Sequence, residues 1–154
     1  MKKPILATLA ALALSFIVPE TVLAGGEDVV VERPWARASI GTSRPGVAYL
    51  TLRNTGNKAV TVTGIATPIA MMAEIHRTAT NNKGVSSMAP AGDIAIAPGE
   101  SVALAPGGLH AMLMKLQSQM TKGETFPLTL TFSDGGEVTV DVPILGLAAR
   151  GPEG

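Results

Sequence analysis

Glycine and proline interrupt the chain after Ala24 so often that no window remains long enough for an amphipathic helix. What lies between the interruptions has the character of strand. Val47-Ala48-Tyr49-Leu50-Thr51-Leu52 runs into the turn cluster Asn54-Thr55-Gly56-Asn57, and an alternating, β-branched segment from Ala59 to Ile65 follows. Pro98-Gly99, Pro106-Gly107-Gly108 and Asp134-Gly135-Gly136 punctuate the second half at strand-length intervals. Phe126–Phe132 and Val138–Val142 flank the last of these turns and read as a hairpin. Many short strands with frequent turns predict an all-β domain, either a two-sheet sandwich or a Greek-key barrel. The pattern gives the class and leaves the topology open.

The segment before Gly25 differs. Lys2 and Lys3 precede an almost wholly apolar run from Ile5 to Val18, and Val22-Leu23-Ala24 supplies small residues of the kind a signal peptidase cuts behind. The run is shorter than the roughly 20 residues of a spanning helix. An export signal is therefore expected over residues 1–24, a single domain over 25–154, and no membrane insertion once the signal is removed. The chain contains no cysteine. An exported domain without disulfides relies on its hydrophobic core, and this length suffices for one. Thiol nucleophiles, redox dithiols and thiolate metal ligands are excluded at the same time. A formal net charge of +0 gives no field to gather nucleic acid or an anionic membrane. Trp35, Tyr49, Phe16, Phe126 and Phe132 are the whole aromatic set, too few for a base-stacking surface.

The chain's two histidines, His76 and His110, lie among most of its methionines. Read as a strand, Leu109–Leu116 places His110, Met112 and Met114 on one face and Leu109, Ala111, Leu113 and Lys115 on the other. An imidazole and a thioether two residues apart on one strand can converge on one ion. Asn81-Asn82-Lys83-Gly84 has turn chemistry. A turn centred near Asn82 sets His76 opposite Met88, with Cβ atoms about 4.5–5.5 Å apart. His76, Met88, His110 and Met112 then form a neutral, soft ligand set, suited to Cu(I) over oxygen-seeking Mg²⁺ or Ca²⁺ and over structural zinc. The ordinary use of methionine in a β-rich chain is core filler, and Met71, Met72, Met114 and Met120 are read that way. Met114 is intermediate, because it shares the ligand face but lies about 6–7 Å along the strand from Met112. Trp35 is expected to line the core, and Arg37 to pair with a carboxylate.

These residues resemble the PCu(A)C-type periplasmic copper chaperones over nearly all of the chain after the signal. The likeness is carried by Pro34-Trp35-Ala36-Arg37-Ala38, Ala48-Tyr49-Leu50 leading to Asn54, Glu74-Ile75-His76-Arg77-Thr78, and the segment from Pro106 to Met114. That family's copper motif is a histidine, a later methionine, and then His-x-Met. Here eleven residues separate His76 from Met88, twenty-one separate Met88 from His110, and Met112 stands two positions on. Arg77 occupies a position that is optionally methionine in the family, and residues 146–154 lack the His- and Met-rich tail of some members. The resemblance implies a cupredoxin-like β-sandwich carrying Cu(I) in the periplasm. It further implies delivery to haem–copper respiratory oxidases, cytochrome c oxidase among them, alongside Sco-type thiol proteins.

Other functions meet obstacles in the same residues. A blue-copper electron carrier needs a cysteine ligand. Ser39, Ser43, Ser86 and Ser87 have no Gly-x-Ser-x-Gly context, and no metallohydrolase motif is present, so no enzyme activity is expected. A copper-sequestering resistance protein is the alternative that the same ligands would serve, and a metal-free adhesion sandwich is the third reading. Protein recovered from the periplasm should begin at Gly25. Intact mass tests this, and a species retaining Met1–Ala24 contradicts it.

Overall fold

The computed structural model describes residues 26–152; the expected signal, residues 1–24, lies outside the described residues. A 3-10 turn at Gly26–Asp28 leads into β1 (Val29–Arg37), β2 (Gly46–Asn54), β3 (Val60–Ala66), β4 (Ala70–Thr80) and β5 (Ser86–Pro90). Then follow β6 (Ile94–Ile96), β7 (Ser101–Leu104), β8 (Leu109–Leu116), β9 (Thr125–Phe132) and β10 (Glu137–Leu145). Among the described residues there is no α-helix. The expected last hairpin is present, with Glu137 opposite Thr131 and Val142 opposite Phe126.

The strands hydrogen-bond in the order β5-β4-β8-β7-β2-β1-β10-β9-β3-β6. A short parallel contact, Ala36 with Ile144 and Arg37 with Leu145, joins the half that ends in β1 to the half that begins with β10. The chain crosses between these halves repeatedly, since β3, β6, β9 and β10 lie in one and the remaining strands in the other. Sequence neighbours are thus often not sheet neighbours, the connectivity of Greek-key sandwiches. One core cluster draws on both halves, with Leu50, Leu52, Ala111 and Leu113 from the first and Val62, Ile96, Leu128, Leu130 and Val142 from the second. Burying each large aliphatic side chain contributes about 1.5–3 kcal/mol, and with no disulfide this burial has to hold the fold. Asn54 is a buried polar exception. Its side-chain amide donates to the Lys58 and Ile96 carbonyls and its Oδ1 accepts from the Gly56 amide, closing the turn after β2 onto β6.

Alternation along β2 puts Ala48, Leu50 and Leu52 in the core, which leaves Val47 and Tyr49 on the outer face of the sheet. Trp35 joins them there because of a bulge. Arg33 has φ 51° just before Pro34, and the β1–β2 register shifts by one residue between Glu32 and Trp35. One extra residue exchanges the two faces. Trp35 is therefore buried outside the core cluster, its ring centroid 4.5 Å from that of Tyr49. The Arg37 guanidinium lies 5.9 Å and 5.6 Å from the two centroids, and its Nε donates to the Ala149 carbonyl at 2.7 Å. Both expectations for this motif are corrected: Trp35 builds a second, outer layer, and Arg37 binds a carbonyl and two π faces in place of a carboxylate.

Burial pushes the Tyr49 phenol above its ordinary value of 10.0, and the Arg37 guanidinium opposes that rise. A raised folded value means that the neutral phenol supports the fold below pH 10.0, and that this support is lost as pH climbs through the folded value. Tyr49 is the chain's single tyrosine, so phenolate absorbance reads it directly. The folded protein should titrate above 10.0 and the denatured protein near it; a folded midpoint at or below 10.0 contradicts the buried outer layer.

Candidate metal centre

The chain rises from β7 into β8 through a tight loop. Gly107 takes φ 85°, the left-handed region, and the Ala105 amide and carbonyl bond to Leu109 and Gly108. The Gly108 carbonyl then accepts twice, from the Thr78 amide on β4 at 3.1 Å and from His110 Nδ1 at 3.2 Å. It ties the two strands together at the point where they carry histidine. In the antiparallel register His76 stands opposite His110, Glu74 opposite Met112 and Met72 opposite Met114. Ile75, Ala111 and Leu113 face the core from the same strands, so these three pairs share the outer face with Tyr49.

The hairpin between β4 and β5 differs from its expected register. Asn81 accepts the Lys83 and Val85 amides on its side chain and donates its own amide to the Val85 carbonyl. The loop therefore runs through Val85, with Gly84 at φ 76° as its left-handed residue. Pairing resumes with Thr80 opposite Ser86, which puts Pro90 opposite His76 and Met88 opposite Thr78. The expectation that Met88 directly faces His76 is corrected by two positions. A displacement of two conserves the face, so Met88 still lies on the side of the histidines, diagonal to His76. It sits on edge strand β5 and is 57% exposed.

The histidines themselves are buried, at 9% for His76 and 3% for His110. A carbonyl can only accept, so His110 carries its proton on Nδ1. His76 Nε2 bonds the Glu74 carboxylate at 3.1 Å, which leaves Nδ1 as its bare nitrogen. The remaining atoms, His76 Nδ1 and His110 Nε2, are buried and have no hydrogen-bond partner. The ring centroids are 6.1 Å apart. A metal sits about 2.0 Å from an imidazole nitrogen, so one ion shared by two rings sets their centroids roughly 6 Å apart. The pair fits a shared metal on both counts.

Among the described residues no three His, Asp or Glu side chains group to hold an ion. Along the paired rungs of β4 and β8, the other side chains on this face near the pair are Glu74 and methionines. Met112, part-buried, is the next same-face residue after His110 on β8, and Met88 lies on the same face of β5, opposite Thr78. Glu74 is no part of the copper motif in the sequence, yet its position two residues before His76 on a strand predicts a shared face. Its carboxylate orients the ring, the usual partner of a metal-binding histidine. The core-filler reading holds for Met120, which is buried and abuts Gly46 so closely that a Cβ there would collide with its sulfur. For Met71 and Met72 it is corrected, because both are exposed. Met114 is only half-buried and stands outside the core cluster.

The sequence profile of the LpqE-like family, described as lipoprotein-like, matches residues 29–144. A Leifsonia xyli subsp. xyli protein named as a lipoprotein, Lxx21020, is 32% identical over 118 residues, covering 77% of this chain and 70% of its own. The copper-bound PCuAC domain from PmoF2 has the same fold, with a TM-score of 0.63 and 23% identity over 80% of this chain and 97% of that domain. The Cu(I)-bound solution structure of DR1885 from Deinococcus radiodurans aligns with a TM-score of 0.55 and 30% identity, covering 78% and 81% of the two chains. The β-sandwich expected from the sequence is thus of the cupredoxin-like kind found in PCuAC domains.

The two histidine tautomers are directly measurable. Nitrogen–proton correlation spectra of the metal-free protein should give an Nδ1–H tautomer for His110 and an Nε2–H tautomer for His76. The reverse assignment at His110 would break the Gly108 hydrogen bond and contradict this geometry.

Proposed function

The chain belongs to the LpqE-like family, and we propose that it is a periplasmic copper chaperone holding one Cu(I) ion on His76, Met88, His110 and Met112. The observation that carries this reading is the pair of buried, unpartnered nitrogens, His76 Nδ1 and His110 Nε2. A buried polar atom without a partner costs about 1–3 kcal/mol, and a cation between the rings gives both lone pairs a partner at once. Thioether sulfur beside them favours a soft monovalent ion over hard or strictly tetrahedral competitors. The Cu(I) carried by the Deinococcus relative, at 30% identity, supports the same cargo here. Glu74 holds His76 and offers a countercharge near a monovalent cation without itself needing to bind it.

Carriage and release follow from where the four side chains stand. His76 and His110 are anchored in the sheet interior by Glu74 and Gly108. Met88 lies on a strand whose residues are all exposed. An acceptor approaching that edge meets Met88 first and displaces the ligands stepwise. A thiolate is charged and softer than a thioether, so a reduced dithiol draws Cu(I) from this neutral site. The acceptor is accordingly a thiol protein of the Sco type serving the assembly of haem–copper oxidases such as cytochrome c oxidase. The protein works as a binding and transfer module and carries out no catalysis. The lipoprotein name of its Leifsonia relative supports export.

Competition titration should give one tightly bound Cu(I) per chain. His110→Ala and Met112→Leu should each weaken it by more than the roughly 10–100-fold typical of losing an outer partner, whereas Met120→Leu should affect stability before affinity. Mixing the loaded protein with an equal amount of reduced, copper-competent dithiol acceptor and separating the two tests delivery. Copper on the acceptor supports a chaperone; copper retained here supports sequestration.

A further inference from the structure

The histidine pair is one rung of a longer ladder. Along β4 and β8 the same face carries His76 with His110, then Glu74 with Met112, then Met72 with Met114. Successive same-face rungs on a strand are about 6.5–7 Å apart, and directly opposed residues have Cβ atoms about 4.5–5.5 Å apart. Two long, flexible thioether side chains at that spacing can bring both sulfurs to one ion. The row ends one rung further on, where Ala70 and Leu116 are apolar and buried.

Packing does not account for Met72 and Met114. Met72 is 45% exposed, Met114 is half-buried, and neither belongs to the core cluster. An aliphatic residue at the Met72 position gains little from burial, and Met114 is partly buried without joining the core, so the thioethers of both are left on one shared rung. An open groove lined by Thr67, Met71, Met72 and Glu74 reaches the β4 side of this rung. The Glu74 carboxylate stands between this pair and the histidines, negative charge beside each.

We propose that Met72 and Met114 form a second soft-metal site, a two-thioether station for a monovalent ion such as Cu(I) or Ag(I), next to the histidine site. It goes beyond the single-site reading above and requires only the two sulfurs on adjacent strands. Two neutral sulfurs without imidazole bind more weakly than a His2Met2 set, and they select against oxygen-seeking cations for the same reason of softness. The station therefore fills after the histidine site and empties before it. That order suits an ion moving along the β4–β8 face from the groove side, with Met112 on the intervening rung.

Silver(I) serves as the probe, because it shares the sulfur preference of copper(I) and keeps its oxidation state in air. The protein is labelled with carbon-13 on its methionine methyls, and each resonance is assigned by single Met→Leu substitution. Histidine ring resonances are followed in the same titration. The Met72 and Met114 methyls should move together during addition of a second equivalent of Ag(I). In Met72→Leu the Met114 response should disappear, while the first equivalent still shifts the His76 and His110 rings. Methyls of Met72 and Met114 that stay fixed through the second equivalent overturn the station, and so does a Met114 shift that survives Met72→Leu. Histidine rings that never move overturn the single-site reading instead, so the two failures are told apart.

Discussion

Pairing β4 with β8 sets His76 across from His110 on a face from which the core is excluded, and this alignment governs the chemistry available to the molecule. It is secured by the Gly108 carbonyl, which binds the Thr78 amide of one strand and the His110 ring of the other. A backbone acceptor shared in this way couples strand register to ring orientation. A slip of one residue in β4 would turn His76 into the core while His110 stayed on the outer face, and the pair would be lost. The left-handed Gly107 just before it makes the tight approach possible. Register and tautomer are consequently coupled.

The sandwich behind this face has an ordinary apolar core, and it has to be sufficient because no disulfide assists it. What is less ordinary is a second buried layer on the outer face. Trp35, Tyr49 and Arg37 stack there against the strand pair that leads to Met112 and Ala111. The Arg33 bulge creates this layer by reversing the alternation of β1. The layer covers the sheet on the histidine side, where an exposed polar face would be the usual outcome.

Edge and interior strands divide the donors of the proposed site between them. Nitrogen donors are buried in interior strands and are locked by hydrogen bonds. Sulfur donors are partly or largely exposed, at the β5 edge and along the outer face. In the proposed function the hydrogen-bonded imidazoles supply strength and the more accessible thioethers supply exchange, a role that suits methionine because its sulfur does not titrate and its side chain adapts without strain.

Much of this was legible in the sequence. Glycine and proline spacing excluded helices, period-two alternation put His110, Met112 and Met114 on one face, and the absence of cysteine removed thiolate chemistry. Each is a local property, set by backbone sterics or by residue identity alone. The β4–β5 register departs by two positions from what the turn sequence predicts, because turn length depends on which amides an asparagine side chain binds, and Asn81 reaches as far as Val85. Trp35 lies in the outer layer and not in the core that its strand pattern predicts, because a one-residue bulge reverses the faces and Arg33–Pro34 gives only a faint signal of it. The pairing of His76 with His110, the tie from Glu74 and the Met72–Met114 rung were decided by the tertiary structure alone. Strands far apart in sequence become neighbours only when two halves of a sandwich bury a common core, and no local pattern encodes which register that burial will choose.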